Sequence, residues 1–83
     1  MRYPFRWNSW NVDHIAEHGI DPEEAEYVVN HPHGQDKALV QGRTDVGRYI
    51  QVIYIFSPPG VLFVIHARPL NDAERRGLRR RKQ

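Results

Sequence analysis

Two chemically capable side chains, His66 and Arg68, end an extended apolar run that begins at Val61. Residues two positions apart in a strand point to the same face, so the imidazole and the guanidinium are predicted to lie side by side. An imidazole exchanges a proton near neutral pH, and a guanidinium binds the oxygens of phosphate or carboxylate groups. This pair therefore favours chemistry on an anionic ligand.

Two hairpin loops join three consecutive extended runs and predict which side chains share that face. The predicted cross-strand pairs are Gln51 with His66, Tyr49 with Arg68, Arg43 with Tyr49, and Gln41 with Gln51. The resulting set has one histidine, two arginines, one tyrosine and two amides, and no carboxylate. That composition suits an anion, and Gln51 at its centre is predicted to bind the substrate.

A phosphodiester is the anion that best fits this set, with RNA as the expected form. The 2′-hydroxyl of RNA is an internal nucleophile, so cleavage needs a base, a charge stabiliser and a proton donor, but no metal or other cofactor. His66 is predicted as the general base. Arg68 and Arg43 are predicted as phosphate ligands, and Tyr49 as proton donor or base-stacking platform. In the alternative interpretation, Arg68 and His66 hydrogen-bond the last helix or Glu74.

Trp10, His14 and His18 follow one another at intervals of four residues in the first predicted helix. They form a stripe opposite the apolar side of that helix. One large aromatic side chain flanked by polar rings is typical of an interface hot spot, so the stripe is predicted to bind a partner protein. Two histidines one turn apart could share a metal ion, but no third ligand stands at motif spacing, and no metal site is predicted. Simple packing is the alternative.

The predicted order of elements is strand, helix, helix, three-strand meander, helix. Cap and turn signals bound them, with Asp21 and Pro22 at the start of the second helix, Gly47 in the first hairpin loop, and Asn71 before the last helix. The predicted bounds are 4–7 for the first strand, 8–18 and 22–31 for two helices, 37–44, 48–56 and 61–68 for the meander, and 71–81 for the last helix. Residues 33–36 are predicted as a loop.

The other face of the meander is predicted to be the core. Its members are Val40, Ile50, Val52, Tyr54, Phe56, Val61, Phe63, Ile65 and Ala67, joined from the first helix by Val12, Ile15 and Ala16. The chain is thus predicted to be one α+β domain, residues 1–83, with a four-stranded, mainly antiparallel sheet. Helices are expected over one face and the polar patch on the other.

The amino-acid composition limits which cellular environments and which binding partners are expected. The chain has no cysteine, so neither disulfides nor thiolate metal sites are expected. No stretch approaches the roughly 20 apolar residues of a membrane span, and we expect a soluble, cytoplasmic protein. Net charge is +2, but the C-terminal end is strongly basic. Arg75, Arg76 and the run 79–82 are predicted to contact phosphates, with a solvated tail as the alternative.

The stretches FRWNSWNVDHIAEHGIDPEEAE, GRYIQVIYIF and VIHARPLNDAERR together resemble the BrnT family of bacterial type II toxins over nearly the whole chain. The resemblance implies a RelE-like fold, metal-independent ribonuclease activity, a small cognate antitoxin encoded alongside, and operator DNA binding through that antitoxin. The matching positions are Trp7, His18, Gly19, Arg48, Ala67, Arg68 and Glu74. Arg48, in the Gly-Arg pair that enters the central strand, is therefore added to the substrate-binding residues. The first helix departs from the family, with His14 and Glu17 where asparagine and lysine are usual.

Three hypotheses follow. The first is a BrnT-like endoribonuclease toxin that uses the polar face. The second is a non-catalytic module that holds RNA or DNA with that face and the basic end. The third is a protein-interaction domain whose contact is the stripe of Trp10, His14 and His18.

Overall fold

The chain forms a five-stranded mixed sheet and three helices in the part that the structure describes. This computed structural model describes residues 4–36, 38–57 and 60–81, without the side chains of Asp36 and of residues 79–81. The elements are β1 (Phe5–Arg6), α1 (Ser9–Ala16), α2 (Pro22–Asn30), β2 (Gly34–Asp36), β3 (Leu39–Arg43), β4 (Tyr49–Ser57), β5 (Val61–Pro69) and α3 (Asp72–Arg81). The predicted α+β class is confirmed.

The strand order is β1-β5-β4-β3-β2, and the prediction of four strands was wrong. The missed strand is β2, which lies in the segment 33–36 that was predicted as a loop and pairs antiparallel with β3. The other edge strand, β1, pairs parallel with β5, with Phe5 opposite Leu62. A strand of two or three residues is too short for an alternating pattern, so periodicity could not reveal β2.

The hairpin of β3 and β4 has the predicted register, with Arg43 opposite Tyr49 and Gln41 opposite Gln51. Its loop turns at Gly47, which adopts the left-handed conformation at φ 94°. A glycine takes that conformation without the steric cost of a Cβ atom. The loop therefore fixes the register as its sequence indicated.

The pairing of β4 with β5 differs from the prediction. His66 lies opposite Ile53, and Arg68 lies opposite Gln51. The predictions that His66 pairs with Gln51 and that Arg68 pairs with Tyr49 were therefore wrong. His66 is displaced by two residues toward the β4–β5 hairpin relative to its predicted partner.

A β-bulge in β5 accounts for part of this difference. Tyr54 pairs with Val64, whereas the preceding residue, Ile53, pairs with His66, so Ile65 is an extra residue in the ladder. A bulge reverses the side-chain alternation beyond it. No local signal in an uninterrupted apolar run marks which residue bulges.

Because of the bulge, Phe63 and Arg68 share one face although they are five residues apart. Phe63 pairs with Ile55 and Arg68 with Gln51, and both partners lie on the face opposite the core. The prediction that Phe63 and Ile65 belong to the core was wrong, since both are only half-buried. We call the sheet face that carries Phe63, His66 and Arg68 the polar face.

The core lies between the other face of the sheet and helices α1 and α2. Its fully or almost fully buried members are Ile15, Ile20, Ala25, Val28, Val29, Val40, Ile50, Val52, Tyr54, Leu62, Val64 and Ala67. Leu62 and Val64 replace the predicted Phe63 and Ile65. Phe56, also predicted to be buried, is 64% exposed near the hairpin end of β4.

Helix α1 is anchored through a buried asparagine that the apolar pattern missed. Asn8 and Asn11 form a reciprocal capping box, with hydrogen bonds of 3.2 and 2.8 Å. Asn11 also donates from Nδ2 to the carbonyl oxygen of Arg6 at 3.0 Å. The helix thus buries Asn11 and Ile15, whereas Ala16, predicted in the core, is exposed.

Helices α2 and α3 begin at the predicted caps. Asp21 and Glu24 form the capping box of α2, and Asn71 and Glu74 exchange the same two hydrogen bonds at the start of α3. Phosphate contacts were also predicted for residues 79–82. The side chains of residues 79–81 and the whole of Lys82 lie outside the part of the chain that the structure describes. None of the described helices is long and apolar enough to cross a membrane.

Candidate functional site

Arg68 is held on the polar face by a carboxylate from α3. Its Nη1 and Nη2 atoms donate to Oε1 and Oε2 of Glu74 at 2.9 and 2.6 Å. This two-point contact fixes the plane of the guanidinium, whose side chain is still 33% exposed. The prediction that no carboxylate lies in the set was wrong, and the alternative in which Arg68 binds Glu74 is the observed arrangement.

The carboxylate of Glu74 is strongly stabilised in its charged form. Hydrogen bonds from Arg68 and from the backbone of Asn71 lower the pKa of Glu74 to about 2. The same contact raises the pKa of Arg68. Both groups are therefore charged at neutral pH, and the local net charge of this pair is zero.

His66 lies beside His14 of α1 and beside His18, which is in the turn after α1. Its ring centroid is 5.0 Å from that of His18 and 5.8 Å from that of His14. Burial and then the nearby His18, His14 and Arg68 lower the pKa of His66. At neutral pH the ring of His66 is accordingly held in its neutral form, which is the form that accepts a proton.

The α1 stripe is not a separate surface. Trp10 stacks on His14 at 5.2 Å and on Phe63 at 5.9 Å, between ring centroids. Trp10 nevertheless remains 55% exposed, as predicted for a partner-binding residue. The tertiary structure thus joins the predicted stripe to the polar face through Phe63 and His66.

Gln51 occupies the middle of the polar face. It is only 8% exposed, and its Oε1 atom accepts a hydrogen bond from Nε2 of Gln41 at 3.1 Å. Its neighbour on β5 is Arg68. A ligand can therefore reach only a small part of the surface of Gln51.

Tyr49 and Arg43 lie beyond Gln51 along the sheet and face each other across β3 and β4. The ring of Tyr49 packs 6.5 Å from that of His33. Tyr49 is four residues along β4 from the partner of His66, a separation of roughly 13 Å. The phenol and the imidazole are thus at different ends of the polar face.

Arg48 precedes Tyr49 and is directed to the opposite side of the sheet. Its Nη1 atom donates to both carboxylate oxygens of Glu24, at 3.1 and 2.9 Å, and to the carbonyl oxygen of Gly19 at 3.0 Å. A phosphate would have to compete with these acceptors. The structure does not join Arg48 to His66 or Arg68.

The two predicted substrate-binding arginines of α3 are exposed. Arg75 forms an ion pair with Asp72 one turn earlier in the helix, and Arg76 is the next residue. Both follow Glu74, so they extend from the helix that touches Arg68. The charge of Arg75 is thus partly offset by Asp72.

No group of three or more histidine, aspartate or glutamate side chains in the described residues is arranged to hold a metal ion. The three histidines meet edge to face, with interplanar angles of 68° and 61° about His66. These rings can transfer protons to one another and to or from a bound ligand. The contacts of His14 and His18 with His66 were missed because α1 and β5 are far apart in the sequence.

Comparisons of the chain with protein-family models, with curated proteins and with solved structures found no match. The site consists of a neutral imidazole, two neighbouring histidines and a guanidinium fixed by Glu74. Such a set can accept a proton, donate a proton and stabilise negative charge.

Proposed function

We propose that this protein is a BrnT-like endoribonuclease toxin with a RelE-like fold, which cleaves RNA by attack of the 2′-hydroxyl group. The observation that carries the proposal is the geometry of His66, a partly exposed imidazole beside His18 and two residues from a guanidinium fixed in plane. RNA brings its own nucleophile, so the reaction needs proton transfer and charge stabilisation from the protein.

In this proposal His66 takes the proton of the 2′-hydroxyl. Arg68 faces the phosphate with the part of its guanidinium that Glu74 leaves exposed, and Gln51 contributes its amide edge. Arg43 binds a neighbouring phosphate along the strand. Tyr49 serves as a stacking platform for a base, since its distance from His66 argues against a role as proton donor.

The direct test is cleavage of a mixed-sequence RNA by the purified protein in the presence of a chelator. We expect products that end in a cyclic 2′,3′-phosphate or its hydrolysis product. His66→Gln should abolish cleavage and leave the thermal unfolding profile near that of the wild type. An absolute requirement for a divalent ion would contradict the proposed mechanism.

We also propose that a small antitoxin binds the Trp10 side of α1 and, as a complex, contacts operator DNA. Trp10 offers a half-exposed aromatic anchor, and its contact with Phe63 places the anchor next to His66. A partner bound there would block access to the polar face. Trp10→Ala should weaken binding of a co-encoded partner by about 2 kcal/mol. Equal partner affinity of the variant and the wild type would reject this surface.

A non-catalytic nucleic-acid-binding module is the second candidate. The observation that favours it is the neutralisation of Arg68 by Glu74, which leaves less free positive charge for a transition state than the sequence indicated. Tight RNA binding without cleavage of any RNA would support this function. Truncation after Leu78 should then flatten the salt dependence of RNA affinity, because phosphate contacts are lost.

A further inference from the structure

His18 is the side chain that the structure adds to the proposed reaction. It lies in the turn that follows α1, 48 positions before His66 in the chain, and its ring is 5.0 Å from that of His66 with an interplanar angle of 68°. The residue is exposed, so a ligand bound over His66 can also reach His18. Two imidazoles in this arrangement form one proton-transfer site.

We propose that His18 is the general acid that protonates the leaving 5′-oxygen, with His66 as the general base. The inference rests on the proposed ribonuclease function and adds a catalytic residue to it. His18 would hence act in catalysis as well as in the predicted partner contact.

The proposed reaction transfers two protons and exchanges one bond to phosphorus for another. The 2′-hydroxyl gives its proton to His66 while its oxygen forms a bond to phosphorus. The bond from phosphorus to the 5′-oxygen breaks, and that oxygen receives the proton carried by His18. The products are a 2′,3′-cyclic phosphate and a free 5′-hydroxyl, with His66 protonated and His18 neutral. Exchange with water restores both rings.

The other nearby proton donors fit this role less well. His14 is stacked on Trp10 at 5.2 Å with the two rings almost parallel, so one face of its ring is covered. Its centroid is also farther from His66, at 5.8 Å. Tyr49 is at the other end of the polar face. His18 is the closest of these rings to His66 and is exposed.

The experiment compares two RNA substrates of the same sequence, one with the natural 5′-oxygen at the scissile bond and one with a bridging 5′-sulfur. A thiolate leaves without protonation, so the sulfur substrate needs a base and no acid. His18→Gln should slow cleavage of the oxygen substrate by about 100-fold or more. The same variant should cleave the sulfur substrate at near the wild-type rate, whereas His66→Gln should be slow on both.

His31→Gln is the matched control, because His31 is an exposed histidine that packs on Tyr27 at the end of α2. It should cleave both substrates like the wild type. Wild-type protein provides a test that needs no folded variant. Its rate on the oxygen substrate should fall at high pH as the acid loses its proton, and this fall should be absent with the sulfur substrate.

Two results would overturn the role of His18 alone. These are a His18→Gln variant equally slow on both substrates, and a variant as fast as the wild type on the oxygen substrate. A wild-type protein that cleaves neither substrate would instead reject the proposed ribonuclease function, and the acid with it. The failures of the two proposals are thus distinguishable.

Discussion

Two arginine–glutamate pairs in this protein share one local arrangement, an arginine bound to the glutamate of a helix capping box, but they lie in different surroundings. Arg48 bonds both carboxylate oxygens of Glu24, and Arg68 bonds both of Glu74. Each glutamate also accepts a hydrogen bond from the backbone N–H that precedes its helix. A capping-box carboxylate thereby fixes a helix start and an arginine at once.

The pairs differ in geometry and in neighbours. Arg48 directs a single nitrogen to Glu24 and to the carbonyl oxygen of Gly19, and so ties the hairpin loop of β3 and β4 to the α1–α2 connection. Arg68 uses two nitrogens in a planar fork beside His66. The same residue types thus connect elements in one place and orient a guanidinium next to a titratable ring in the other.

The largest difference between the pairs should appear in cleavage. Arg68→Ala should reduce the rate of RNA cleavage by about 100-fold or more, because the proposed function makes Arg68 the charge stabiliser at the phosphate. Arg48→Ala should lower the free energy of unfolding and reduce cleavage far less. Single-turnover rates on one RNA, with unfolding curves for both variants, make the comparison. Equal losses of rate would remove the distinction between the pairs.

Replacing the two glutamates should separate stability from binding. Glu74→Gln and Glu24→Gln should each lower the free energy of unfolding by roughly 1 kcal/mol, because a half-exposed charge pair is lost. Only Glu74→Gln should also tighten RNA binding, by on the order of threefold, since it frees Arg68 and removes a negative charge from the polar face. RNA titrations at fixed salt measure this effect. Tighter binding by Glu24→Gln as well would point to a general change of net charge.

Acid should weaken the Arg68–Glu74 pair over a defined range of pH. The folded pKa of Glu74, about 2, lies below its ordinary value of 4.5, so the pair stabilises the fold above pH 4.5. That contribution is lost as the pH falls from 4.5 toward 2. The difference in unfolding free energy between wild type and Glu74→Gln should shrink over this interval. A difference that stays constant to pH 3 would contradict the assigned pKa.

The smallest expected effect is a change in stability with pH that depends on His66. This histidine is a neighbour of Arg68 but not of Arg48. Its pKa lies below the ordinary 6.5 because of burial and the nearby His18, His14 and Arg68. The unfolded chain therefore binds more protons, and stability should decline as the pH falls below about 6.5. His66→Gln should flatten this decline by less than about 1 kcal/mol. Denaturant unfolding at pH 7.5 and 5.5 measures it, and an unchanged slope would exclude His66 as the source.

The sequence alone determined the features that depend on neighbours along the chain. Asp21 with Glu24 and Asn71 with Glu74 signalled two helix starts, because a capping box needs only four consecutive residues. Gly47 signalled the turn that sets the register of β3 and β4. The alternation of Ile50, Val52 and Tyr54 likewise predicted which face of β4 is buried.

Contacts between distant segments were decided by the tertiary structure. A one-residue shift of the hairpin register moved Phe63 to the polar face, and together with the bulge at Ile65 it placed Arg68, instead of His66, opposite Gln51. Packing of α1 against β5 brought His14 and His18 to His66, so two predicted surfaces became one. The position of a bulge and the position of a helix depend on how the whole core packs. The free energy of that packing comes from contacts between distant segments, so a short stretch of sequence cannot predict it.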